Sequence, residues 1–217
     1  MRRASQLGMM LCIVWQTQAA SIVFQEGFTN KLDPQWSWIR ENPRGWRVTP
    51  SGLQVLVEPG NMWGPANNAK NVLVRPAPPL PDTGIEISVT ISNEPGSQYE
   101  QVDLVWYYDD SHMVKIGQEM VDGKLSIVMG REEKDRTRTI AIIPLDSLVV
   151  SVRYLVRKNE LRGQFRTPKD REWRDGGTSD WPAPPEAKPK ISLQFYQGST
   201  NAPHWALVTD FKIEPIR

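Results

Sequence analysis

Apolar and polar residues alternate along most of this chain. In Ile85-Glu86-Ile87-Ser88-Val89-Thr90-Ile91-Ser92 the alternation is unbroken, the pattern of a strand with one face buried and one wet. The same period recurs at Leu53, Val55 and Val57, at Val102, Leu104 and Trp106, and at Val114 and Ile116. It continues at Leu125, Ile127 and Met129, at Val150, Val152, Tyr154 and Val156, at Ile191, Leu193 and Phe195, and at Ala206, Val208 and Ile213. This predicts about twelve strands, separated by turn signals such as Pro95-Gly96, Asp109-Asp110, Asp122-Gly123 and Lys158-Asn159. No stretch carries a helical period. Arg131–Arg138 reads as a solvated hairpin end. Residues 167–189, rich in Pro, Gly, Asp and Lys, read as one long surface loop.

Many antiparallel strands without helices predict an all-β fold, a two-sheet antiparallel β-sandwich of the jelly-roll kind. The outer face of one sheet in such a fold can form a shallow groove. The alternation then predicts the side chains that reach it: Gln101, Asp103, Val105 and Tyr107, then Lys115, then Ser151, Arg153 and Arg157. The alternative for this set is an ordinary wet sheet face. Trp106 falls on the core phase, and Trp46 begins a strand.

Composition adds the compartment. The chain has 217 residues and a net charge of +1, so it carries no electrostatic footprint for nucleic acid. Its first twenty residues differ from the rest. Arg2 and Arg3 precede an uncharged apolar run from Leu7 to Trp15, and Thr17-Gln18-Ala19-Ala20 offers small residues for cleavage. That is the layout of a secretory signal peptide, with an apolar run too short to span a bilayer. The expectation is a leader over 1–20, one β-sandwich domain over 21–217, no integral membrane span after cleavage, and a secreted or periplasmic location. Cys12 lacks the small preceding residues of lipoprotein processing, since Met10-Leu11 stand there. It is the only cysteine, so the cleaved chain has no disulfide, thiol nucleophile or Cys-ligated metal.

Catalytic patterns are scarce. The sequence has no H-E-x-x-H, G-x-S-x-G, P-loop or dinucleotide-binding glycine pattern. His112 and His204 read as surface or strand-end residues. The single-strand E-x-D-x-x-E of jelly-roll glucanases is also missing. Glu100 and Asp103 are spaced to opposite faces of a strand, so a carboxylate pair for glycoside hydrolysis would have to come from different strands. Glu26 in "FQEGF" and Asp210 in "VTDFKI" lie near the two ends, where first and last strands often pair. Together with backbone carbonyls they form a candidate Ca²⁺ site, with plain strand-end polar residues as the alternative.

Tryptophan is the over-used residue, at nine in the chain. Trp63, Trp173 and Trp181 lie in segments dense with Gly, Pro, Asn and Asp. Around Trp63 stand Asn61, Asn67, Asn68 and Asn71. Indole faces suit the apolar faces of sugar rings, and amides suit their hydroxyls. The alternative is that each indole tucks under its own loop. Trp63 is the foremost candidate, expected at the rim of the sheet above Arg75 and Lys115.

The segments "GWRVTPSGLQVLVEPG", "NVLVRP", "EQVDLVWYYDDSHMVKIGQE", "SLQFYQG" and "ALVTDFKI" occur in an order that resembles bacterial concanavalin A-like domains of the family labelled domain of unknown function 1349. These are similar to the C-terminal β-sandwich of family 43 β-xylosidases. The resemblance spans most of residues 22–215. Val102-Asp103 stands where the family has a small Ala-Gly pair. The resemblance implies a carbohydrate-associated module and supplies no catalytic residues. Gln101, Tyr107, Lys115 and Glu119 match the polar positions of the motif, and Arg75 matches the arginine of "LVRP". The expected function is an exported, non-catalytic carbohydrate-binding module with a carbohydrate ligand. The alternatives are a glycan-active hydrolase with carboxylates on the groove sheet, and a structural domain of the cell envelope.

Overall fold

The computed structural model describes residues 23–216; the expected leader over 1–20, with Cys12, lies outside them. Fifteen strands form two antiparallel sheets packed as a sandwich, with no helix among the described residues. The eight-stranded sheet runs β13 (Arg174–Ser179), β12 (Glu160–Arg166), β11 (Val149–Arg157), β6 (Ile85–Ser92), β15 (Trp205–Pro215), β4 (Gly52–Leu56) and β3 (Trp46–Thr49), with β1 (Phe24–Glu26) also paired to β15. The seven-stranded sheet runs β10 (Arg136–Pro144), β9 (Lys124–Glu133), β8 (His112–Val121), β7 (Gln101–Asp109), β14 (Lys190–Tyr196), β5 (Val72–Pro76) and β2 (Ser37–Ile39).

The alternation in β6 becomes strict alternation of buried and half-buried residues. Its apolar face joins Leu53, Val55, Trp106, Tyr154, Phe165 and Phe211 in one core between the sheets. Burying each large apolar side chain contributes about 1.5–3 kcal/mol, which is what holds the two layers together. Trp106 lies in that core and Trp46 opens β3, both as the period requires.

Two expectations change. Residues 167–189 are not all loop, because Arg174–Ser179 pair with β12 as an edge strand. Ser151, Arg153 and Arg157 do not share a groove with Gln101 and Lys115, because β11 belongs to the other sheet. Period two assigns residues to a face. Only long-range pairing assigns a strand to a sheet.

The seven-stranded sheet departs from a wet outer face. Eight of the nine residues of β7 are buried on both sides. The cover is the 57–71 segment, whose Met62, Trp63 and Ala69 pack with Val72, Val74, Val105, Tyr107, Met113 and Tyr196 in a second apolar cluster.

Candidate functional site

The loop over the sheet is fixed by its own amides. The Asn61 side chain accepts from the Trp63 amide (3.0 Å) and donates to the Trp63 carbonyl (2.9 Å), while Asn68 Oδ1 accepts from the Asn61 amide (2.8 Å). Asn71 Oδ1 accepts from the Asn42 amide at 2.7 Å, and its Nδ2 donates to Glu58. Arg40 ties the loop from outside. It donates to the Ala69 carbonyl (2.7 Å) and pairs with Asp110 (2.6 Å), which also accepts from the Tyr107 hydroxyl (2.6 Å). The asparagines that looked like ligand contacts are therefore mostly engaged with the protein. Asn67 is half-buried, and its Oδ1 has no partner among the described residues.

This scaffold lays Trp63 against the sheet. Gly130 in β9 makes the approach possible, since a Cβ there would collide with the outer edge of the indole. The loop is pinned at the next residue, where the Gly64 amide donates to Glu132 Oε2 at 3.0 Å. Lys115 Nζ stands 4.9 Å from the Trp63 ring centre, within cation–π range.

Beneath Trp63 lies a buried polar network drawn from three neighbouring strands. Lys115 in β8 is 2% exposed. Its ammonium donates to Glu119 Oε2 at 2.8 Å and to Gln101 Oε1, and lies 3.8 Å from Asp103 Oδ2. Asp103 in β7 pairs in register with Gly117 of β8, and its carboxyl occupies the space that a Cβ on Gly117 would fill. Asp103 and Glu132 are both fully buried. Burial raises the Asp103 carboxyl from an ordinary 3.8 to about 7, against the opposing pull of Lys115. Burial likewise raises Glu132 to about 7, offset in part by its bond from the Gly64 amide. Both acids are thus poised to hold a proton near neutrality, while Lys115 pairs with Glu119.

A pocket of about 290 Å³ opens beside the indole, lined by Asn61, Trp63, Tyr99, Gln101, Glu119 and Gln197 together with apolar side chains. Of the expected site residues, the fold brings Asn61, Trp63, Gln101, Lys115 and Glu119 together. Tyr107 lies on the same face, in the apolar cluster under Met62. Arg75 is a correction. It follows Leu73 at period two, toward the core side of β5, and its guanidinium lies over Phe24 rather than under Trp63. Trp181 packs on Trp106 (5.4 Å) as part of the core. Trp173 stands on the other sheet, with the guanidiniums of Arg153 and Arg166 lying 4.2 and 4.5 Å from its ring centre. Asp103, Glu132, Tyr99, Tyr196 and Gln197 join the site without having been singled out as ligand contacts. Period two placed Asp103 on the right face, and its register partner Gly117 was the available sign of a buried carboxyl.

The first and last strands do pair, which sets Glu26 opposite Phe211, next to Asp210. The two Glu26 oxygens accept from the amides of Phe28 (2.9 Å) and Asp33 (3.1 Å). Asp210 is exposed at a register shift in β15. No group of three or more His, Cys, Asp or Glu side chains among the described residues is placed to hold a metal ion. The two histidines sit beside acids, His112 on Asp109 (2.8 Å) and His204 on Glu100 (2.6 Å).

No protein-family profile matches the chain, and no curated protein matches it in sequence. Solved structures do match in fold. A GH43 protein from Bacillus licheniformis superimposes with a TM-score of 0.77 at 14% identity, covering 88% of this chain and 39% of that one. A xylan β-1,4-xylosidase from Bacillus halodurans gives 0.75 at 16% identity, covering 88% and 38%. A protein of unknown function from Saccharomyces cerevisiae gives 0.64 at 15% identity and is covered over 98% of its own length. The chain thus spans about two-fifths of the GH43 proteins it matches and nearly all of the yeast protein. At these identities the likeness establishes the fold, the antiparallel β-sandwich found in GH43 proteins.

Proposed function

We propose that this chain is an exported, non-catalytic carbohydrate-binding module, and that the glycan packs against Trp63. The observation that carries the reading is the pocket wall itself. A half-buried indole, on a loop fixed by its own amides and by Arg40 and Glu132, shares the pocket lining with Gln101, Gln197 and Glu119. An apolar ring face beside a few polar groups is what sugar recognition needs. The GH43 neighbours support the carbohydrate association and make xylan the first polysaccharide to try. Kinship with the domain-of-unknown-function 1349 proteins, and the leader over 1–20, belong to the same proposal.

A hydrolase is the second reading, because acids raised to about 7 are what a general acid requires. Its difficulty is access. Asp103 and Glu132 are fully buried, and only Glu119 among the network's acids lines the pocket. Retention on insoluble xylan, arabinan and xyloglucan, with Trp63→Ala as the control, tests the binding reading. Retention lost with the indole supports it; no retention, or retention indifferent to the substitution, removes it. Release of reducing sugar that disappears in Glu119→Gln moves the assignment to hydrolase.

A further inference from the structure

Arg75 lies outside the site beneath Trp63. It is 4% exposed, near the end of β5. Its guanidinium lies 3.3 Å from the ring centre of Phe24 and 5.2 Å from that of Trp36. Among the described residues its fork makes one hydrogen bond, from Nη2 to Gln35 Oε1 at 2.7 Å, while Nε and Nη1 are buried without an acceptor. The acids whose charges reach it are engaged elsewhere. Glu26 accepts from two backbone amides, and Asp33 Oδ1 accepts from the Gln35 amide. A buried cation with one neutral acceptor is costly, and a guanidinium fork is shaped for two parallel bonds to a carboxylate.

Arg75 also lines a cleft of about 460 Å³, walled by Phe24, Pro78, Pro79 and Ile213 and edged by Gln35. Gln35 is exposed, so its carboxamide can swing out. Its oxygen then marks the place of one carboxylate oxygen, with Nε or Nη1 free for the other. The apolar walls suit the face of a small ring. We propose that this cleft is a second binding site, taking a sugar uronate whose carboxylate displaces Gln35 from Arg75. It is independent of the Trp63 pocket, because Arg75 projects to the other side of the sheet.

The test is calorimetric titration of the full chain with sodium glucuronate, with glucose and acetate as comparisons, following Trp fluorescence in parallel. Glucuronate is expected to saturate, glucose to give no binding, and acetate to bind at least tenfold more weakly. Arg75→Met weakens glucuronate at least tenfold. Gln35→Ala, checked for native folding by circular dichroism because it removes the one acceptor of Arg75, strengthens it several-fold, and Trp63→Ala leaves it unchanged. Absence of saturable glucuronate binding by both the native chain and Gln35→Ala overturns the proposal, as does binding that survives Arg75→Met. Acetate binding as tightly as glucuronate overturns the sugar assignment, and loss in Trp63→Ala transfers the ligand to the other pocket.

Discussion

Replacing Asp103 by Asn tests the buried network through its dependence on pH. The Asp103 carboxyl sits near 7 in the folded chain and near 3.8 when ordinary. Folding therefore favours its protonated form. Its contribution is complete below the unfolded value and is lost as pH rises through the folded one. Between pH 5 and pH 8 the loss from Asp103 alone is about 3 kcal/mol, or roughly 6–12 °C in Tm for a domain of this size. Glu132, raised to about 7, acts with the same sign. The native chain should thus be more stable at pH 5 than at pH 8. Asn reproduces the shape of the protonated acid and cannot ionise. Asp103→Asn should match the native Tm at pH 5 and exceed it at pH 8, with Glu132→Gln removing the slope that remains. Differential scanning calorimetry across pH 4–9 reads this directly. A native Tm that climbs from pH 5 to pH 8, or an Asp103→Asn protein less stable at pH 8, rules out a buried protonated Asp103. Either result means that Asp103 is ionised and paired with Lys115.

Three further outcomes follow from the same geometry. Gly130→Ala inserts a methyl where the Trp63 ring lies, so it should abolish glycan retention while shifting the urea midpoint far less than a core truncation. Lys115→Met leaves the Glu119 carboxylate and Gln101 Oε1 without their donor and should cost about 3–5 kcal/mol in chemical denaturation. Arg40→Ala frees the loop from Asp110 and Ala69. Limited proteolysis should then cut within residues 58–71 well before the chain unfolds.

The sandwich was legible because alternation over Ile85–Ser92 and Val149–Arg157 maps directly onto burial in a pleated strand. β13 escaped because its Gly176-Gly177 pair and charged neighbours carry no apolar face; it forms by pairing with β12 at a sheet edge. Trp63, Trp173 and Trp181 looked alike in local composition, yet one walls a pocket, one lies under two arginines and one enters the core. Strands distant in sequence decide between these fates. The asparagines are ambiguous for a related reason. An amide that closes an Asx turn and one that grips a ligand are the same residue type. Asp103 in β7 sets a carboxyl into the space above Gly117, beside Lys115.

Glycan binding at Trp63 is tested most directly by NMR mapping of a xylo-oligosaccharide titration on isotope-labelled protein. Perturbed signals should cluster at the Trp63 indole and the Gln101 and Gln197 side chains, with Trp173 and Trp181 unmoved. Perturbations centred on Trp173, or none across xylan, arabinan and xyloglucan fragments, contradict glycan binding at Trp63.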